Sequence, residues 1–412
     1  MGLIKQRVVL DMFRSGRFAT RKHCYYVESK ESLTYIQEAT EAFKSFSQNP
    51  RDYSAKMHIK KASELYLKAI DASTLNTDKA YCSRKYASTI IRDESLPIEE
   101  RYYLALNYLQ DSISKYEHFV DKNPHLKTSK IFIMELQRAY VLLGHVALKL
   151  KSGAVLSNVT EKLNHLLERL PNQEFMLEVL TYQWHLNLSQ NKISAAKENI
   201  TDSMKHSECH SISNPTDYRH LAKINLLEVS SISDSEAKKT YFEKHVMAHL
   251  WKSFDAHKTY VKGVSSQARD KALLKDIFIL LYAKIVQRIN GITDNNPDET
   301  VYSYMVRQVS RLYKSRPSQV AFVSGALKRA IAQMKNTGAI TLAYRLFDNS
   351  VPSISLSAEQ FNQLFPDFET FTKEPQAVEI AAPVAYHPGL FDSGNFRPER
   401  EACRAASSSP VI

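Results

Sequence analysis

Glycine is scarce in this chain, ten in 412 residues, and between Gly16 and Gly263 only Gly144 and Gly153 occur. Strands joined by tight hairpins and loops that cradle phosphates need the left-handed backbone that glycine supplies, so so few glycines argue against a sheet-rich fold. Cysteine is equally sparse. Cys24, Cys82, Cys209 and Cys403 stand far apart with no CxxC spacing, which argues against a disulfide framework and a zinc knuckle and fits a reducing compartment. The longest apolar run, Ile277 to Ala283, is closed by Lys284 and is far shorter than the roughly 20 residues that a bilayer span requires. No GxxxxGK[ST], GxGxxG or GxSxG sequence occurs. Nucleotide hydrolysis, dinucleotide chemistry and serine esterase activity therefore lack their usual signatures.

What is present is a recurring helical pattern: a small residue, an aromatic or aliphatic residue four positions on, a small or apolar one three beyond that, and sometimes a proline five further on. Ala62, Tyr66 and Ala69 show it first; Ser112, Tyr116, Phe119 and Val159, Leu163, Leu166 repeat it, with Pro124 and Pro171 five positions further on. Residues four and seven apart share one helix face, and a small residue at the start admits a neighbouring helix while the larger one fills the space beside it. The proline stops the helix where the chain turns. Caps, prolines and periodicity predict helices over 32–48, 79–91, from Pro97 to before Pro124, over 128–150 and over 159–171.

Tyr140, Leu143, Gly144 and Ala147 stand in the order of the first helix of a tetratricopeptide repeat, and the Val159 helix follows as its partner. Tyr218, Leu221 and Ala222 reproduce the first-helix order, with Ala196, Ile200 and Ser203 as a second helix before them. Val323, Ala326, Leu327 and Ala330 are followed by Asn336-Thr337-Gly338 and then by Ala339, Ala343 and Leu346, with Pro352 beyond. The chain thus resembles a degenerate tetratricopeptide-repeat solenoid; second-helix starts at 62, 112, 159 and 196 are separated by 50, 47 and 37 residues, against a repeat of about 34. The resemblance implies an all-α fold, a solenoid of antiparallel helix pairs. Three regions are expected: a basic N-terminal arm over 1–30, a helical-repeat domain over 31–350, and an acidic, proline- and serine-rich tail over 351–412. The tail is expected to be largely irregular, with a short capping helix from Ser357 to Phe365.

Charge is unevenly spread. The chain carries a formal +11, residues 1–30 hold seven Lys or Arg against two acids, and residues 351–412 hold four against eight. The arm lacks a clean apolar face for a transit peptide, and Gln6 stands where myristoylation wants Ser or Thr. Between Tyr302 and Phe347 there is no Asp or Glu, while Arg307, Arg311, Lys314, Arg316, Lys328, Arg329, Lys335 and Arg345 all fall there. Arg307, Arg311 and Lys314 project from one helix face near Tyr304 and Tyr313, and with Arg316, Lys328 and Arg329 they are the candidate contacts for an anionic partner such as RNA or acidic lipid head groups.

Metal and catalytic constellations fail on inspection. His245 and His249 are four apart, but Val246 occupies the place of a metalloprotease glutamate; His206, Glu208, Cys209 and His210 lack a second ligand pair. No cofactor, metal or catalytic residue is assigned. The expected function is that of a non-catalytic, cytoplasmic interaction scaffold holding a partner protein or peptide on its helical-repeat surface. The alternatives are an RNA-binding helical-repeat protein that uses the basic 302–347 face, and a bacterial effector secreted into a host cell on a helical scaffold. An organellar matrix is a further location left open.

Overall fold

A computed structural model describes residues 30–48, 54–209, 216–259, 266–293, 296–314, 316–340 and 354–373. The N-terminal arm but for Lys30, Ala343, Arg345, Leu346, Pro352, His210, and the tail beyond Lys373 lie outside them. Two compact units divide the chain, Met1–Leu186 and Asn187–Ile412, a boundary inside the 31–350 stretch.

The first unit is helical throughout its described residues. Its elements are α1 (Lys30–Gln48), α2 (Ala55–Ala72), α3 (Asn76–Ile90), α4 (Ile98–Lys122), a 3₁₀ turn (Pro124–Thr128), α5 (Lys130–Lys149), α6 (Gly153–Arg169) and α7 (Gln173–Ser189), whose final residues cross the boundary. Each of α1 to α5 packs on the next in chain order, down to α5 on α6. The reason lies in the stripes. Along α2 the residues Ala55, Ile59, Ala62, Tyr66 and Ala69 are buried, and along α4 Ala105, Leu109, Ser112, Tyr116 and Val120, each at the three-to-four spacing that puts one face inward. Leu109 and Leu163 are wholly buried, and each such side chain contributes about 1.5–3 kcal/mol by leaving water.

Helix ends follow local chemistry. Pro97 stands immediately before α4 as its N-cap, with Glu99 and Glu100 in the first turn to oppose the helix dipole; α4 stops at Lys122, two residues short of Pro124. The end of α6 is closed from outside: Gln137 on α5 donates through Nε2 to the carbonyls of Leu166 and Leu170, at 3.1 and 2.7 Å, satisfying groups that a helix C-terminus leaves bare. Helix α5 is long and apolar enough to cross a bilayer by length and composition. Its Ile133, Leu136, Tyr140, Leu143 and Ala147 are buried within the unit, which accounts for that apolarity as core.

The second unit contains α8 (Ile193–Cys209), α9 (Thr216–Val229), α10 (Ser235–Tyr241), a π-helical turn (Phe242–Met247), α11 (Ala248–Thr259), α12 (Ser266–Ile289), α13 (Val301–Leu312), α14 (Pro317–Thr337), α15 (Ala358–Leu364) and α16 (Phe368–Lys373). Helix α9 packs on α8, the π turn, α11 and α12; α12 packs on α13, and α13 on α14. The expected buried face Val323, Ala326, Leu327 and Ala330 is present on α14.

Downstream of α14 the sequence expectation is corrected. Gly338 takes φ +61 and closes the helix with its N–H on the carbonyl of Met334, a left-handed cap that glycine tolerates best. Ala339, expected to open a second repeat helix, instead lies in a two-residue strand, β1 (Ala339–Ile340), paired antiparallel with β2 (Ile354–Ser355). The short helix expected from Ser357 to Phe365 is there as α15, entered by a capping box between Ser357 and Gln360, with Phe361, Leu364 and Phe365 buried.

Candidate functional site

Among its described residues the acid-free stretch supplies most of α13, all of α14 and the strand β1, and its setting is built by a loop that an arginine holds. Arg288, in the last turn of α12, donates Nη1 to the carbonyl of Pro297 at 2.6 Å and Nη2 to those of Asn296 and Glu299 at 3.0 and 2.9 Å. Thr300 then caps α13 by accepting from the Ser303 N–H at 3.1 Å. With its backbone fixed, Glu299 turns its carboxylate onto Arg307: Nε to Oε1 is 2.8 Å and Nη2 to Oε2 is 2.5 Å. This is the two-pronged pairing that a planar guanidinium makes and an ammonium cannot. The ring of Tyr304 has the Arg307 guanidinium 5.3 Å from its centre and the Lys284 ammonium at 4.2 Å.

The predicted cations therefore divide. Arg307 is engaged by an acid lying three residues before the acid-free window opens. Lys335 is engaged by Glu369, at 2.8 Å, and lies over the Phe368 ring. Arg311, Lys314, Arg316 and Arg329 are exposed and Lys328 is half-buried. Among the described residues, no acidic partner meets Arg311, Lys314 or Arg329. On the outer side of α14, Ser318, Ala321, Phe322, Gly325 and Arg329 follow one another at helical spacing, and the Phe322 ring is 50% exposed. A Cβ placed on Gly325 would lie 3.6 Å from Nη1 of Arg329, so that guanidinium lies close along the helix surface.

A second polar cluster gathers at the π turn. Lys197 on α8 donates to Glu228 at 2.7 Å and to the Tyr241 hydroxyl at 3.1 Å; Tyr241 donates to Glu228 and to Asn225 Oδ1, the latter at 3.0 Å. Burial, then the bond to Glu228, pushes the Tyr241 hydroxyl well above the usual phenol range. Asn225 and Nδ1 of His249 both reach the carbonyl of His245. The spacing of four between the histidines is thus used for a backbone contact. Burial holds both imidazoles below their ordinary value, aided at His245 by the Lys244 charge. Among the described residues no group of three or more His, Cys, Asp and Glu is placed to hold a metal ion.

A third cluster has the membership of a hydrolytic triad and not its geometry. Ser253 Oγ lies 3.3 Å from His257 Nδ1, and Asp276 Oδ2 lies 2.7 Å from that same nitrogen. A serine nucleophile and its orienting carboxylate must use opposite nitrogens of the ring. Ser253 and Asp276 are fully buried and His257 nearly so, and Ser253 also bonds Asp276 Oδ1 at 2.9 Å. Arg219 on α9 completes the network at 3.3 Å from Asp276 and 3.1 Å from the Ala272 carbonyl. It ties α9, α11 and α12 together. The first unit has a counterpart: Arg84 on α3 meets Glu135 on α5 at 2.5 Å, with Arg138 at 2.8 Å on the other oxygen. Burial pushes the Glu135 carboxyl up, but the Arg84 and Arg138 charges outweigh it and hold it below the usual range.

Compared with protein-family models, curated proteins and solved structures, the chain matches none.

Proposed function

We propose that this protein is a non-catalytic interaction scaffold in which antiparallel helix pairs stack as in a degenerate tetratricopeptide-like solenoid and hold a partner protein or peptide. The observation that carries the reading is Gly144. It falls in the Leu-Gly place of the repeat order, and the ring of Tyr182 from α7 rests so close that a Cβ there would lie 2.4 Å from it, the close helix approach for which such a repeat reserves a small residue. Sequential packing of α1 to α6 agrees with it. Met57 on α2 and Ile98 and Tyr103 on α4 are exposed at 69%, 48% and 57%, and large apolar side chains of this kind are where a peptide gains affinity. The test is affinity purification of the full chain, with and without nuclease, beside a Met57→Asp/Tyr103→Asp variant. A protein partner retained after nuclease and lost with the variant supports the scaffold; recovery of nucleic acid alone favours the second reading.

That second reading is an anionic partner, RNA first, on the basic 302–347 face. It is favoured by the pairing pattern, since Glu299 engages Arg307 and Glu369 engages Lys335 while Arg311, Lys314 and Arg329 are exposed, and Phe322 is exposed on the same helix as Arg329. Cations interleaved with aromatic rings suit a backbone of phosphates with bases to stack. Here cytoplasmic placement is the setting proposed for either partner.

A further inference from the structure

We propose that the π turn carries a binding site for a phosphate dianion, free or as a monoester, formed by His245, His249, Lys244 and Lys252, and that the anion is taken up together with protons. The site lies on other elements than the basic face of α13 and α14, and the inference is independent of both readings above.

Three observations carry it. The first is alignment. Tyr241, His245, His249 and Lys252 follow one another at spacings of four, four and three. The first three rings stand in a row, with His245 4.7 Å from Tyr241 and 6.3 Å from His249 between ring centres. The second is how the row is backed. Lys197, Glu228, Tyr241 and Asn225 bond to one another, and Asn225 Nδ2 and His249 Nδ1 both close on the His245 carbonyl. A carbonyl oxygen only accepts, so Nδ1 of His249 carries the hydrogen and Nε2 the lone pair. Among the described residues neither that Nε2 nor either ring nitrogen of His245 has a hydrogen-bond partner, and both rings are half-buried, within reach of solvent. Turns of this kind are frequent at functional sites. The third is charge. Lys197 pairs with Glu228, whereas Lys244 and Lys252 are exposed and make no ion pair among the described residues. Burial first, then Lys244 and Lys197, hold His245 below its ordinary value, against the pull of Glu228. At His249 burial again leads, the bond to the His245 carbonyl opposes it, and Lys252, His245 and Lys197 add to the depression. From α12, Asp276 is committed to Arg219, Ser253 and His257. A metal cation between the rings would face the same lysines, so the surplus positive charge selects an anion.

At neutral pH the rings are uncharged, and Nε2 of His249 repels an oxyanion. Protonation turns it into a donor and puts a charge on each ring. By linkage the bound anion raises both imidazole values, and its affinity increases as pH falls. The test is to follow the imidazole titrations of the full chain by NMR, in inorganic phosphate and in chloride of equal ionic strength. In phosphate His245 and His249 should both titrate about one unit higher or more, the effect of an opposite charge at contact, with exposed His118 of the first unit as the reference for screening. Lys252→Gln, a surface change, should raise the His249 value in chloride by removing a repelling charge, and should shrink the phosphate-dependent rise at both rings. A purely structural lysine predicts neither. Phenyl phosphate acting at lower concentration than inorganic phosphate would assign the site to a monoester, and the reverse to the free ion. The proposal falls if His118 moves as far as the pair, if one ring or neither responds, or if zinc ion shifts the pair and phosphate does not.

Discussion

The ring of Tyr182 lies across Gly144, its Cε2 2.4 Å from where a β-carbon would stand, and its hydroxyl donates to the carbonyl of Val141 at 2.8 Å. One residue thus fills the notch the other leaves and caps the backbone beside it. Gly144→Ala should destabilise the first unit by about 1–3 kcal/mol through overpacking, despite the gain of about 1 kcal/mol that alanine brings to a helix interior. Tyr182→Phe, which keeps the ring, should lose only about 0.5–1.5 kcal/mol with the hydrogen bond. Urea unfolding distinguishes them; a stabilised Gly144→Ala would show that α5 and α7 do not meet this closely.

Arg84 and Glu135 are each nearly wholly buried. Glu135→Ala should cost about 3–5 kcal/mol because it strands a guanidinium in the core, whereas Arg84→Met with Glu135→Leu should recover most of that loss. The folded Glu135 carboxyl is held below its ordinary value, so its contribution is present above the unfolded pKa and is lost as pH falls through the folded one. Thermal melts of the two variants beside the parent at neutral and acid pH check both claims.

Asp78 shows the opposite dependence. It is 1% exposed in the first turn of α3, its Oδ1 has no hydrogen-bond partner among the described residues, and burial pushes its carboxyl from an ordinary 3.8 up to about 7. Between those values the folded state keeps a proton that the unfolded chain has released, so stability falls as pH rises through this window and levels above it. Asp78→Asn should raise the melting temperature at pH 8 and change it little at pH 4. An equal shift at both pH values would assign the effect to packing instead.

Tyr116 is 3% exposed on the buried face of α4 and meets Phe132 edge-on at 6.4 Å between ring centres. Tyr116→Ala should cost about 3–5 kcal/mol, read by denaturant midpoint at unchanged slope. A neutral result would remove the residue from the core stripe.

On the basic face the cations should separate by behaviour. Changing Arg311, Lys314 and Arg329 to Ser should leave the melt within about 0.5 kcal/mol per site and reduce the slope of log affinity for single-stranded RNA against log salt by about 0.7 per lost contact. Arg307→Ser should instead destabilise the fold, by about 0.2–1 kcal/mol for a pair at this exposure, since it unseats Glu299. Equal behaviour of all four would contradict the division of roles.

Much of the fold was legible because helices are written locally. Ala62, Tyr66 and Ala69 are buried on one face, as are Ser112 with Tyr116 and Val159 with Leu163 and Leu166; Phe119 is half-buried. The expected helices over 32–48 and 128–150 differ from α1 and α5 by two residues or fewer at each end, while α6 begins at Gly153, six before Val159. The Ala339 expectation failed because Gly338 turns the chain into a strand in which Ala339 pairs with Ser355, a pairing that periodicity does not encode. The site was less legible. The acid-free window was real, yet Glu299 stands just before it and Glu369 well beyond it, and only folding brings them to Arg307 and Lys335. Arg219, Ser253, His257 and Asp276 span 57 residues, and Ser-x3-His was the sole local trace of their network.

The π turn has a consequence for how this chain tolerates change in length. Helices α10 and α11 run into it without a break, and such turns amount to one residue lodged in an α-helix. One residue is about 100° of rotation. Tyr241, before the turn, is committed to Glu228 and Asn225, while Ser253 and His257, after it, are committed to Asp276. The turn absorbs the lodged residue locally, so both commitments keep the phase of an unbroken helix. Deleting a single residue between Phe242 and Met247 would relax the turn to ordinary helix and leave both sets facing their partners, whereas a deletion between Ala248 and Lys252 would swing Ser253 and His257 about a quarter-circle away from Asp276, so the turn is the one place where this helix can lose a residue cheaply.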